Sequence, residues 1–350
     1  MIRVGVYGAT GYMGGEALRV LLEHPRAEIA WATSRGDTPL SQIHRNLAGA
    51  EITVVKPEDI TPVDVIFAAL PSGLVLQLAP QWLAAGTKVI DLGADFRLKD
   101  VRAWEALYRK PHLSPALISE AVYGIPELHR EAICGARLVA NPGCFSSAAI
   151  LGLAPLLKAG LARPDALVVD GLSGTAGAGA ELDRAIHHPE IGNNIVPYNV
   201  VNHRHTWEME QELGLVAGRP VKILFTPAYA PITRGILNII HAFPARPVSR
   251  QQLLDLYMEF YRDEPFIHIN TASKEEGSWV NAPYPWVAAT SGTNHCHIGL
   301  DVDEDRGGIV LFSALDSVGK GGAHAAVQNM NLMFGFPETL GLNRWGLHPY

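Results

Sequence analysis

Cysteine is scarce in this chain, with three in 350 residues. That is too few and too scattered for a disulfide framework, so a reducing, cytoplasmic compartment is expected. Charge of one sign never accumulates either. Twenty-eight Lys and Arg against 35 Asp and Glu give a formal net charge of −7, with no basic block. That balance argues against nucleic acid and anionic membranes as main partners. Long apolar runs are missing as well. The most apolar helical stretch, around residues 145–162, carries Pro155, Lys158 and several glycines, too interrupted to span a bilayer. Met1-Ile-Arg-Val-Gly-Val-Tyr7 reads as a strand from the outset rather than as a secretory leader. There is no low-complexity segment and no internal repeat.

What the chain does have is core material. Hydrophobic residues make up 48% and charged residues 18%, and the length suits two domains. Strand and helix alternate over the first third. Strands are expected at 2–7, 27–33, 63–70, 88–92 and 137–140, with helices at 14–23 and 74–85 between them. Such alternation predicts a Rossmann-type, doubly wound parallel sheet with helices on both faces. After residue 145 the pattern changes to strands at 166–172, 221–229, 236–243, 295–302 and 308–314, with a helix at 249–261. This predicts an α+β catalytic domain with a mixed or antiparallel sheet. A last helix at 321–334 is expected to return to the first domain. The division is therefore 1–145 with 321–350 for the nucleotide-binding domain, and 146–320 for the catalytic and oligomerisation domain.

The first strand runs straight into Gly8-Ala-Thr-Gly-Tyr-Met-Gly-Gly15. Glycines at that place let the backbone turn tightly and approach a pyrophosphate at a helix N-terminus. Gly8, Thr10, Gly11, Tyr12, Met13 and Gly14 are the candidate cofactor contacts. The second strand ends in Ala32-Thr33-Ser34-Arg35. An NAD-selective site would carry an acidic residue there for the ribose 2′-hydroxyl, whereas Ser34 and Arg35 suit a 2′-phosphate. NADP(H) is the expected cofactor.

Cys144 lies in Ala140-Asn-Pro-Gly-Cys-Phe-Ser-Ser147, read as strand end, turn and helix start. A thiol at a helix N-terminus meets the positive end of the dipole and unbonded N–H groups, which favour the thiolate and can hold an oxyanion. Among the 14 histidines, three groups stand out: His187-His188, His203-Arg204-His205 and His295-Cys-His297. No acidic third ligand lies at metal-like spacing, so no metal is expected. His203-Arg204-His205 opens a helix (206–212) after Tyr198. An imidazole there is the usual acid/base partner of a thiol, and Arg204 offers a cation for phosphate or carboxylate.

Together these segments resemble the N-acetyl-γ-glutamyl-phosphate reductases, relatives of aspartate-semialdehyde dehydrogenase, over essentially the whole chain. The resemblance rests on Gly8 to Gly14, Asp91-Leu-Gly-Ala-Asp-Phe-Arg97, Val122-Tyr-Gly-Ile-Pro-Glu-Leu128, Asn141-Pro-Gly-Cys144, Ser173-Gly174, Tyr198 with His203-Arg-His-Thr206, Phe225-Thr-Pro227, Thr233-Arg-Gly-Ile-Leu237, Glu264-Pro-Phe266 and Ala326 to Gly335. It implies NADPH-dependent reduction of an acyl phosphate to a semialdehyde through a thioester on Cys144. His205, or else His203, is implied as acid/base. Gly11, Gly14, Ser34 and Arg35 would hold the cofactor, with Gln328 and Asn329 beside it. Ser173, Tyr198 and Arg204 would meet the substrate. A homodimer or homotetramer is expected. Pro71-Ser72-Gly73, Val201-Asn202 and Asp316 to Gly321 depart from the usual family pattern, where Pro-His-Gly, two glycines and Asp-Asn-Leu-Val-Lys-Gly stand. They leave open the same chemistry on aspartyl phosphate or on a carrier-linked aminoadipyl or glutamyl phosphate. Glyceraldehyde-3-phosphate-type oxidation and a non-catalytic NADP-binding sensor are further alternatives.

Overall fold

A computed structural model describes residues 1–272, 283–342 and 345–348. The chain divides into two compact units, 1–142 with 322–342 and 143–321 with 343–350. The first unit holds β1 (Ile2–Tyr7), α1 (Tyr12–Leu22), β2 (Ala27–Thr33), α2 (Leu40–Ile43), β3 (Val54–Val55), β4 (Val65–Ala68), α3 (Val75–Ala84), β5 (Lys88–Asp91), α4 (Val101–Tyr108), β6 (Val122–Tyr123), α5 (Pro126–Cys134) and β7 (Leu138–Ala140). Its seven strands are ordered β3-β2-β1-β4-β5-β7-β6, and every pairing is parallel.

Residue parity builds the layers, because successive side chains on a strand point to opposite faces. Val4, Val6, Val65, Phe67, Ile90 and Val139 enter one core with Ala17 and Leu18 of α1. Ile66, Ala68, Val89, Leu138 and Ala140 enter the other with Val75, Leu76 and Ala79 of α3. The strands are thus buried on both sides, which explains their continuous apolar runs. The sheet order reverses between β1 and β4, and such switch points are where ligands bind in this architecture.

The second unit contains α6 (Cys144–Lys158), β8 (Ala162–Ser173), α7 (His188–Ile191), β9 (Val196–Pro197), α8 (His205–Ala217), β10 (Ile223–Tyr229), β11 (Ile236–Pro244), α9 (Arg250–Phe260), β12 (Ile267–Ile269), β13 (Cys296–Asp303) and β14 (Gly308–Leu315). Its sheet is mixed, in the order β12-β13-β14-β11-β8-β10-β9. The β8–β10 and β12–β13 pairs are parallel and the others antiparallel. One face of this sheet, including Val169, Ile240, Ile298 and Leu311, is buried, with α6 packed on β8, β11 and β14. On the other face Leu237, Ile239, Val310 and Phe312 are half-buried.

α6 is apolar all round and almost wholly buried. Pro155 interrupts its ladder, leaving the Leu151 carbonyl without an i+4 donor. Tyr261 Oη donates to that carbonyl at 2.6 Å, and Tyr257 Oη to the neighbouring Gly152 carbonyl at 2.5 Å. Two buried tyrosines thus fix the helix that begins with Cys144.

α10 (His324–Met333) belongs to the first unit and packs on α1 and α5. The sequence predicts this helix from residue 321. Instead Gly319–Ala323 forms a wide turn in which Gly322 is non-helical, and the α-helix starts at His324. The run of glycines gives the backbone little reason to enter the helix earlier. No helix among the described residues is long and apolar enough to cross a membrane.

Candidate active site

Cys144 is the first helical residue of α6, with Gly143 as its cap. Its side chain is partly exposed while its helix neighbours are buried. The amides of Phe145 and Ser146 have no i−4 carbonyl within the helix, as at any helix start, so they and the helix dipole bear on the sulfur. Two glycines let other groups reach this turn. A Cβ on Gly143 would collide with the His205 ring, and one on Gly321 would lie 2.7 Å from Cys144 Cβ.

His205 opens α8 and lies over the Gly143 backbone. One turn later on the same helix face is Glu208, which is 1% exposed. Glu208 Oε2 accepts from the Gly143 amide at 3.1 Å, and Oε1 lies 3.9 Å from His205 Nε2. A buried carboxylate therefore ties the turn before the thiol to the imidazole beside it. The motifs of the sequence do not include Glu208. Its i, i+3 spacing from His205 was the available signal.

His203 has a different place. Its Nδ1 accepts from the His205 amide at 3.2 Å, and its ring meets Phe145, Tyr198, His205 and Phe225 at centroid distances of 4.6–5.7 Å. Burial first, then the nearby Arg204 charge, lower its pKa to about 4, so it stays neutral at ordinary pH. Arg204 is exposed at the cap of α8. Tyr198 stacks on Tyr229, with centroids 4.0 Å apart and planes within 2°. Burial pushes both phenols above their ordinary value, and their mutual hydrogen bond raises Tyr198 further. Ser173 ends β8, and its buried hydroxyl donates to the Gly174 carbonyl at 2.9 Å. The structure thus gathers Cys144, His203, His205, Tyr198 and Arg204 around one helix start. It gives the Ser173 hydroxyl a backbone partner instead.

The loop carrying Gly321 is also fixed. Asp316 is fully buried and receives Arg234 Nε at 3.2 Å and Nη2 at 2.7 Å. It further accepts from the Gly292 amide at 2.6 Å and the Val318 amide at 3.1 Å, and its carbonyl takes the Gly321 amide at 2.9 Å. Arg234 and Asp316 are part of the quoted motifs, but only the fold reveals this bidentate pair.

In the first unit, Gly8 has φ +87°, where glycine is favoured, and a Cβ there would strike the Ala69 carbonyl. The Gly8 amide donates to Thr33 Oγ1 at 2.9 Å. Gly11 caps α1 with no side-chain capping bond, and almost nothing stands over it. Gly14 packs against the Gly8 carbonyl. Thr10 and Tyr12 are exposed and Met13 half-exposed. An open, cap-free helix start behind a glycine turn fits the pyrophosphate of a dinucleotide. Ser34 is buried and bonds with both backbone groups of Gly36, while Arg35 is exposed beside it.

Gln328 and Asn329 lie buried within α10. Gln328 Nε2 donates to Glu338 at 2.9 Å. Asn329 Nδ2 donates to the Gly124 carbonyl at 3.0 Å and to Asn141 Oδ1 at 3.1 Å. Both amides therefore brace the first unit. Among the described residues no group of three or more His, Cys, Asp or Glu is arranged to hold a metal ion. His187 and His188 are exposed, and the His297 ring meets His268 tilted at 5.0 Å and His295 edge-on at 6.3 Å.

Comparison with known proteins agrees with this geometry. Residues 3–136 match the family profile of the semialdehyde dehydrogenase NAD binding domain, and residues 144–317 that of the semialdehyde dehydrogenase dimerisation domain. The fold is shared with aspartate semialdehyde dehydrogenase II of Vibrio cholerae, solved in complex with ASA, at TM-score 0.72 and 21% identity, covering 96% of this chain and 98% of that one. It is also shared with the Candida albicans enzyme solved with NADP, at TM-score 0.66 and 16% identity, covering 95% and 98%. The N-acetyl-gamma-glutamyl-phosphate reductase of Symbiobacterium thermophilum is 45% identical over 97% of both chains. Those of Moorella thermoacetica and Methanopyrus kandleri are 44% and 42% identical over the full length of each pair. The chain belongs to the N-acetyl-gamma-glutamyl-phosphate reductase family of the semialdehyde dehydrogenases.

Proposed function

We propose that this protein catalyses the NADPH-dependent reductive dephosphorylation of N-acetyl-L-glutamyl 5-phosphate to N-acetyl-L-glutamate 5-semialdehyde, a step of arginine biosynthesis. The observation that carries this reading is Cys144 at the start of α6, with His205 over Gly143 and Glu208 joining the two. The first unit serves as the NADP-binding domain and the second as the catalytic and oligomerisation domain.

The Cys144 thiolate attacks the acyl carbonyl, and the C–O bond to phosphate breaks. Arg204 offers the nearby cation for an anionic substrate group. The Gly8–Gly14 loop, Ser34 and Arg35 would hold NADPH, and that cofactor would supply the hydride the thioester carbon needs. His205 gives a proton to the oxyanion and takes it back as the thiohemiacetal collapses, which frees the aldehyde and restores the thiolate. One imidazole serves both movements, as donor and then as acceptor. The first-turn amides of α6 face the oxyanion, a stabilisation worth about 3 kcal/mol per donor. His203 holds the His205 backbone and stays neutral, so His205 is the acid/base.

The half-buried apolar face of the second sheet, where Leu224 is 55% and Phe243 47% exposed, supports a homodimer, or a homotetramer built from it. Its residues lie within the match to the family's dimerisation domain. Light scattering on the purified protein measures this directly.

The activity is tested in reverse, by NADP⁺ reduction with N-acetyl-glutamate semialdehyde and phosphate, alongside aspartate semialdehyde. Phosphate-dependent turnover of the acetylated compound alone is the expected result. Turnover of neither by protein that still binds NADP would overturn the reading.

A further inference from the structure

Asn238 lies one residue past the motif Thr233 to Leu237 and has no part in the reading of the activity. It sits in the middle of β11, between Gly171 of β8 and Ser313 of β14, and it is 0% exposed. Ile236 and Ile240, its neighbours on the same face of the strand, are apolar and equally buried. A central strand position of this kind favours a β-branched side chain, and asparagine is depleted there. The buried amide therefore carries a desolvation cost that something must offset.

Asn238 Nδ2 donates to the Phe145 carbonyl of α6 at 2.9 Å. A carbonyl only accepts, so the nitrogen must be the end that faces Phe145. Oδ1 has no hydrogen-bond partner among the described residues. An apolar residue of the same shape would leave no orphaned oxygen, and such an exchange is nearly neutral for stability. Folding alone thus gives no reason for an amide here.

The sheet comes close to the helix at this point. A Cβ on Gly171 would lie 2.6 Å from the Phe145 ring, and one on Gly152 would lie 2.9 Å from Ile240. These two glycines let α6 settle near enough for a short side chain to reach its backbone. The carbonyl reached belongs to the peptide that joins Phe145 to Ser146. The other end of that peptide is the Ser146 amide, a first-turn donor with no carbonyl of the helix to bond. The C=O and N–H of one trans peptide form a single dipole along the helix axis. A hydrogen bond accepted at one end strengthens the donor at the other.

We propose that Asn238 is a positioning residue for the reaction, polarising the Phe145–Ser146 peptide so that its amide holds the Cys144 thiolate and the oxyanion more strongly. This rests on the reading of Cys144 as the nucleophile. Cooperative strengthening of roughly 10–30% in such a donor corresponds to about a threefold change in rate.

Asn238→Leu keeps the volume and removes the donor, and it leaves His205, Glu208, Arg204, Tyr198 and Lys320 in place. Thermal unfolding should be nearly unchanged. Alkylation of Cys144 by iodoacetamide, followed by peptide mass spectrometry, should slow about threefold below the midpoint of its pH profile, with that midpoint raised by about half a unit. Cys134, exposed at the end of α5, is the internal reference and should keep its rate. In the reverse assay kcat should fall by a like factor, with both KM values within about twofold. An unchanged Cys144 profile overturns the proposal, as does an equal slowing at Cys134 or an unchanged kcat. Lost stability with an unaltered profile marks a purely structural role and overturns it too. Should the leucine not be accommodated, Asn238→Val, with the shape a central strand prefers, is read in the same way. Failure of both variants to fold also overturns the proposal, because the amide would then serve the fold. Alkylation needs no substrate, so absence of wild-type turnover strikes the activity and leaves this test standing.

Discussion

Cys144 and Glu208 have separable roles in the chemistry. Cys144→Ala removes the nucleophile but touches nothing in the glycine turn after β1. Turnover should fall at least ~10³-fold while NADP affinity, measured by fluorescence titration, stays within about twofold. Retained turnover would exclude a covalent route. Glu208→Gln keeps an acceptor for the Gly143 amide but deletes the charge near His205. Steady-state kcat should drop by roughly 10²-fold with the circular dichroism spectrum unchanged, because the carboxylate acts on the imidazole and not on the fold. Only part of this site was legible in the sequence. The thiol declares itself through the Asn-Pro-Gly turn, a local signal. Glu208 does not, because its contact with Gly143 spans 65 positions and no local pattern encodes it.

At the scale of elements, the loops carry the distinctions that the strands do not. The loop after β2 offers Arg35 to solvent beside a self-bonded Ser34. Arg35→Asp should reverse the NADP over NAD preference by at least about tenfold in kcat/KM, because a carboxylate repels the 2′-phosphate and accepts from the 2′-hydroxyl. An unchanged ratio would remove Arg35 from the cofactor site. The segment between β9 and α8 carries a backbone anomaly. Val201 has φ +70°, a region that opposes a β-branched side chain. Val201→Gly relieves that strain but adds freedom to the unfolded chain, so a net gain of about 0.5–1 kcal/mol is expected from chemical denaturation. Helix type and strand parity were readable from apolar spacing. α4 and α5 were not read, although Asp100 caps the first with bonds to Arg102 and Ala103, and Pro126 stands at the start of the second. The delayed start of α10 was hidden because Gly321 before it serves a close approach to Cys144, a tertiary demand.

For the whole molecule, buried histidines set the response to acid. His203 and His297 are each lowered to about 4, mainly by burial, His297 also by its histidine neighbours. Both lie below their unfolded value near 6.5. Protons then bind the unfolded chain first, so stability falls as pH drops below about 6.5 and levels off near 4. Asp91 and Asp95 oppose this. Burial raises both, and the adjacent Asp95 raises Asp91 further, so the folded state binds their protons earlier and gains as pH falls through that range. Burial lowers His24 as well, so three histidines outweigh two carboxyls, and the midpoint of thermal unfolding should decline by a few degrees from pH 7 to 5. His297→Gln should flatten that decline, and an identical slope would show that His297 does not contribute to it.

The second unit interrupts the first between residues 142 and 322, and its entry and exit meet where Gly321 rests on Cys144. Order of synthesis follows from that arrangement. During translation, residues 143–321 emerge from the ribosome before α10 does, so the inserted unit has its full sheet while the earlier one still lacks a helix of its core. The earlier unit must wait, with Ala17, Leu18 and Leu21 uncovered on the side that Ala326, Val327 and Met330 later fill. Chains truncated after residue 321 and released from the ribosome should therefore protect the later-made unit from protease better than the earlier-made one.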